Sequence, residues 1–214
     1  MQEIDRAIKT VLTLKPDCFL DLIFGSQRRA RLKALSDSQI NIPELRADKM
    51  MLVEEGSESY YLLCEAVVQP DASALPVFAL KALGHQYILK KPTLVVIVYL
   101  EQGNYATFPD SFANSVGNLS NQFRLQKILL WEHEDRILNG ELKELAPFLP
   151  LFHKQPDTNI IAVQKRLLQK ISDPKLQADL MATAMVVDVR AFGPEVVKTK
   201  FGSVKSSMKT RGNF

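Results

Sequence analysis

Cysteine is scarce in the chain: Cys18 and Cys64 are the only two among 214 residues. Both interrupt apolar runs, DCFLDLIF and YYLLCEAVV, so they read as small buried hydrophobes in a reducing compartment rather than as a disulfide framework. No CxxC pair or Cys/His cluster exists, which argues against a zinc site. No run approaches the ~18 uncharged apolar residues of a transmembrane helix, so none is expected. The N-terminal MQEIDRAIKTVLTL carries Glu3, Asp5, Arg6 and Lys9 and has no apolar core of the signal-peptide kind, so a cytoplasmic protein is expected. Acidic residues are missing after Glu195, where Lys198, Lys200, Lys205, Lys209 and Arg211 form a basic stretch.

What remains is ordinary globular composition: 46% hydrophobic and 24% charged residues, with a net charge of +3. The length suits one domain, or one domain with an appendage, able to bury a core without disulfides. The charge is weak support for an anionic partner. Its clustering, at Arg28, Arg29, Arg31 and Lys33 and again at the C-terminus, suits phosphate contacts, although such clusters are more often solvated faces or tails.

The hydrophobic pattern predicts an α/β fold. Ile4, Ala7, Ile8, Val11 and Leu12 have helical spacing. Pro16 then opens a second helix through Phe19 and Leu22, ended by Gly25. From Pro43 onward, LRADKMMLVEE and YYLLCEAVVQ read as two strands joined by a polar turn at Gly56 and Ser57. LPVFALKALGHQYILKK follows as a helix with Leu75, Phe78, Ala79, Ala82 and Leu83 on its buried stripe, stopped by Pro92. TLVVIVYLEQ has the near-continuous apolar character of a strand buried on both faces. A polar connection from Gly103 to Asn121 leads to FRLQKILLWEHE, a further strand. A helix between two strands implies a parallel crossover. The chain from Ile137 onward is expected to be mostly helical. The predicted organisation is a core over residues 1–136, a helical region packed on it over 137–201, and a basic, flexible tail over 202–214.

Two acidic residues stand out because they interrupt apolar strands: Asp48 in LRADKMMLV and Glu65 in YYLLCEAVV. A carboxylate buried in a strand is costly unless it is paired or binds a metal. Across a hairpin turning at Gly56, the two fall within about two residues of facing each other. Two such carboxylates form a minimal ligand set for Mg2+, or Mn2+, which keeps several waters. The alternative is that each acid pairs with a nearby base, Arg46 or Lys49 for Asp48. Strand alternation puts Val67 and Gln69 on the face of Glu65. Lys81 and His85 lie one turn apart on the following helix and can point back toward the strands. His85 alone reads more readily as a core or surface histidine, and Trp131 as core rather than a stacking platform.

Taken in order, these segments resemble the recombination-promoting nuclease and transposase-like family of the PD-(D/E)XK nuclease superfamily. The matching stretches are FLDLIF (Phe19–Phe24), RADKMMLV (Arg46–Val53), LCEAV (Leu63–Val67) with Pro70-Asp71 after it, VVIVYL (Val95–Leu100) and LWE (Leu130–Glu132). They span most of residues 1–190. The resemblance implies a restriction-endonuclease-like mixed sheet flanked by helices, with a helical C-terminal region, and a Mg2+-dependent DNA endonuclease in which Asp48 and Glu65 hold the metal. The chain departs from the family at the third position, where Val67 replaces a glutamine or lysine. Losing such a group typically costs about 3 kcal/mol of transition-state stabilisation, roughly a hundredfold in rate. Gln69, from the same strand, or Lys81, from the next helix, would have to replace it. Two other functions remain open: a catalytically silent nucleic-acid-binding module, suggested by Val67, and an assembly domain forming a homodimer through the apolar stripe Val163, Leu167, Leu168 and Ile171.

Overall fold

The structure, a computed structural model, describes residues 2–27, 31–36, 48–116 and 119–202. Arg28, Arg29, Arg46, Lys205, Lys209 and Arg211, and with them most of the predicted basic tail, lie outside the described residues.

The chain opens with helices α1 (Gln2–Leu14) and α2 (Pro16–Phe24). The apolar stripe of α1 is buried as its spacing predicts, from Ile4 through Leu12. Pro16 occupies the first turn of α2, where its missing N–H costs nothing, and Gly25 ends the helix at a φ of 81°. Five strands form the central sheet: β1 (Arg31–Ser36), β2 (Lys49–Glu55), β3 (Glu58–Val67), β4 (Thr93–Tyr99) and β7 (Gln126–Leu129), in the order β1-β2-β3-β4-β7. The β1, β2 and β3 neighbours pair antiparallel, and β3, β4 and β7 pair parallel. Gly56, at a φ of 63°, supplies the left-handed residue of the β2–β3 turn. Helix α3 (Leu75–Leu89) makes the crossover from β3 to β4. The sheet is therefore mixed and flanked by helices, the α/β architecture expected.

Three expectations need correction. No strand was expected between Gly25 and Pro43, yet Arg31–Ser36 forms the edge strand β1. The polar segment after β4 is not featureless: β5 (Ser111–Val116) and β6 (Leu119–Arg124) form a separate hairpin. Its Phe112 and Phe123 rings stack with centroids 6.0 Å apart and pack against the cluster holding Leu75 and Phe78. The segment FRLQKILLWEHE is thus divided. Phe123 and Arg124 close β6, Gln126–Leu129 forms β7, and Leu130–His133 is a 3-10 turn leading into α4 (Glu134–Leu138). Finally, the buried stripe of α3 runs from Ala82 to His85 rather than to Leu83, which is 54% exposed. A step of three residues keeps the helical face, whereas a step of one rotates by about 100°.

The C-terminal part comprises a buried 3-10 segment (Lys143–Leu151), α5 (Ile160–Leu168), α6 (Pro174–Phe192) and α7 (Pro194–Gly202). Asp173 caps α6 by accepting from the Lys175 and Leu176 amides. Residues of α1, β2, β4, the 3-10 segment, α5 and α6 share one hydrophobic cluster. Leu167, Leu168 and Ile171 are buried in it, so the stripe expected to make a homodimer is intramolecular core.

One polar feature lies within this core. Asp188 of α6 is completely buried, and among the described residues neither of its carboxylate oxygens has a hydrogen-bond partner. The neighbouring Gln164 of α5 donates its Nε2 to the Pro147 carbonyl at 3.2 Å, which leaves its Oε1 without a donor. Burial pushes the Asp188 carboxyl up to about 7, against smaller opposing effects of Gln164 and Lys165. Protonation gives Asp188 a donor, which is what the neighbouring Gln164 Oε1 lacks.

Candidate metal site

The register of β2 on β3 pairs Lys49 with Cys64. Continued by one residue, it sets Asp48, which immediately precedes β2, opposite Glu65. The backbone confirms their proximity, because the Ala66 N–H donates to Asp48 Oδ2 at 2.9 Å. The two acids that interrupt the apolar strands therefore meet at one end of the β2–β3 pair. This is the C-terminal end of β3, which β4 extends in parallel, and the carboxyl ends of parallel strands commonly carry ligand sites.

Each carboxylate faces an ammonium from a different helix. Lys9 of α1 places Nζ 2.9 Å from Asp48 Oδ1. Lys81 of α3 donates from Nζ to Glu65 Oε1 at 2.8 Å, with both side chains almost wholly buried. Lys81 also lies over the Phe78 ring at 5.2 Å from its centroid, so its charge is held between a carboxylate and an aromatic face. His85 is buried one turn further on. Its Nδ1 lies 2.7 Å from the Lys81 carbonyl, which can only accept, so Nδ1 carries the proton and donates.

Burial pushes the Glu65 carboxyl up to about 7. The Asp48 charge adds to this, while Lys81 and Lys9 pull it back. The site is thus two mutually repelling carboxylates held together by two lysines. Hard oxygen donors in this number suit Mg2+ or Mn2+ with most of its coordination completed by water, and the repulsion between them is what a cation would relieve. Among the described residues no group of three or more His, Cys, Asp or Glu side chains gathers as a metal cluster, so any cation here rests on the two acids.

Of the residues singled out in the sequence, Asp48, Glu65 and Lys81 come together. The strand alternation that put Gln69 on the face of Glu65 does not extend to it. Strand β3 ends at Val67, and Gln69 is exposed in the following bend. Val67 is half-buried and packs into the cluster formed with Leu63, Leu75 and Phe78. Trp131 packs against Phe108 at 4.8 Å and is part of the core, as expected. Lys9 was not foreseen, since nothing in a solvent-side lysine of α1 announces a partner 39 residues later. Of the basic residues expected to contact phosphates, Lys33 is engaged with Glu54 and Lys198 with Glu195. An open groove of about 570 Å3 between α1 and α6, lined by Arg6, Ala7, Met185 and Val189 among others, includes none of the four clustered residues.

Comparison with known proteins returns no matching family model, no matching curated protein and no matching solved structure. Among the described residues no helix is long and apolar enough to cross a membrane.

Proposed function

We propose that the chain is a Mg2+- or Mn2+-dependent DNA endonuclease of the restriction-endonuclease-like kind, with Asp48 and Glu65 as the metal-binding acids. The observation that carries this reading is the Lys81 Nζ–Glu65 Oε1 contact of 2.8 Å. It supplies, from α3, the cationic group that Val67 cannot supply from β3. The sequence offered Gln69 and Lys81 as replacements, and the geometry favours Lys81.

The residues would divide the work as follows. Asp48, pinned by the Ala66 amide, and Glu65 present negative oxygen to a hard cation. When bound, such a cation polarises a phosphoryl oxygen and lowers the pKa of an attacking water. Lys81 balances Glu65 before substrate arrives and offers its ammonium to the charge that grows on the phosphate in the transition state. His85, hydrogen-bonded to the Lys81 carbonyl, fixes the turn of α3 from which Lys81 projects. Lys9 anchors α1 against Asp48.

A binding-only module is the second reading, favoured by the apolar packing of Val67. Plasmid cleavage distinguishes the two. Purified protein is incubated with supercoiled DNA and Mg2+ or Mn2+, beside Asp48→Asn, Lys81→Met and EDTA controls. The nuclease reading predicts nicking that EDTA and Asp48→Asn abolish and that Lys81→Met lowers about a hundredfold. Folded protein that binds DNA in a salt-sensitive way but never cuts it supports the second reading and refutes the first.

A further inference from the structure

Helix α3 buries one face against the sheet, yet its other face is as apolar as the first. Val77, Leu80, Leu83, Tyr87 and Ile88 are 42%, 48%, 54%, 75% and 57% exposed. Val77, Leu80, Gly84 and Tyr87 follow the 3-4-3 spacing of a helix–helix seam, with Leu83 and Ile88 beside it. The only charged residue of α3 is Lys81, which is buried on the inner face with His85. The outer face therefore presents no charge that an interface would have to desolvate. We infer that this face is where a second copy of the chain docks, α3 against α3 in antiparallel orientation.

Three observations favour a second copy as the occupant. The first is area. The five side chains, 42–75% exposed, form a contiguous apolar face that can contribute to the ~800 Å2 per partner that a standard stable interface buries. The second is charge. Asp71 lies exposed at the N-terminal end of the crossover, and its carboxyl is held below the usual range by Ser73. Lys90 lies exposed at the other end, in left-handed backbone conformation, over the Tyr87 ring at 4.2 Å. A two-fold axis near the middle of the helix carries each Lys90 to the partner's Asp71, so the ends complement each other twice. The third is shape. Gly84, on the seam, stands opposite the partner's Val77 in this register and leaves room for its side chain. An isologous contact needs one self-complementary patch, and this face has an apolar centre with opposite charges at its ends. The resulting layer order is sheet, α3, α3, sheet, with both Glu65–Lys81 pairs on the inner faces of the paired helices.

Sedimentation equilibrium of the full chain tests this. The wild type is expected to show a concentration-dependent mass of two 24.1 kDa chains. Leu83→Glu changes a side chain that is already half-exposed. It should raise the dimer dissociation constant at least tenfold while leaving the far-UV circular dichroism and the melting temperature of the monomer unchanged. Lys90→Glu should weaken the dimer, and adding Asp71→Lys to it should restore part of the loss by exchanging the two charges. A wild type that stays monomeric at 100 μM overturns the assignment, including the case in which it instead co-floats with phosphatidylcholine vesicles. A dimer indifferent to Leu83→Glu overturns it equally.

Discussion

The buried Asp188 allows a stability prediction with a calculable size. Its carboxyl titrates at about 7 in the folded chain, against 3.8 for an unperturbed aspartate. The folded state therefore binds a proton that the unfolded state has released, and stability must fall as pH rises through this window. A thousandfold difference in proton affinity corresponds to about 4 kcal/mol, fully present below pH 4 and gone above pH 7. Asp188→Asn removes the titration and keeps a donor for Gln164 Oε1 in the same place. Its advantage over the wild type should grow from about 1 kcal/mol at pH 4.5 to about 4 kcal/mol at pH 8. Urea unfolding at the two pH values measures it. The difference between the two proteins isolates Asp188 from Glu65, whose carboxyl is raised in the same range. If the two stability curves run parallel between pH 4.5 and 8, Asp188 is ionised in the core and the shared proton with Gln164 does not exist.

Other consequences follow from the site and the core. Lys81→Met leaves Glu65 buried without its counter-charge and should destabilise the fold by about 3–5 kcal/mol in thermal or urea unfolding, whereas Glu65→Gln combined with Lys81→Met should recover much of that loss. Val67→Gln places a polar group at the end of β3, and the nuclease reading expects a ten- to hundredfold gain in plasmid cleavage. Phe19→Ala empties a fully buried position of the main cluster and should cost about 3–5 kcal/mol, read as a lower urea midpoint.

The parts of the fold legible in the sequence are those where a local pattern coincides with burial. The stripe of α1, Pro16 at the start of α2, the Gly56 turn and the apolar run of β4 each carry their own signal, and each is where expected. The β5–β6 hairpin was obscured by polar residues, although the Gly117-Asn118 dipeptide is a hairpin signal in itself. Strand β1 was hidden because its apolar face is short: only Leu32 and Leu35 pack on the core, Arg31 and Lys33 are exposed, and pairing with β2 supplies the hydrogen bonds. In the site, Asp48 and Glu65 were visible because a carboxylate inside an apolar strand is anomalous on its own. Lys81 was one candidate among two, and only the orientation of α3 separated it from Gln69. Lys9 was invisible, since its role depends on where α1 packs.

The account turns on whether Asp48 and Glu65 together hold a divalent cation. Titration of the protein with Mn2+, followed by loss of the free-ion electron paramagnetic resonance signal, measures this without requiring turnover. One bound Mn2+ per chain, displaced by excess Mg2+ and lost in both Asp48→Asn and Glu65→Gln, is the predicted result. An unchanged free-ion signal with folded wild-type protein would mean that the two lysines alone balance the two acids, and that the pair is a structural ion-pair network rather than a metal site.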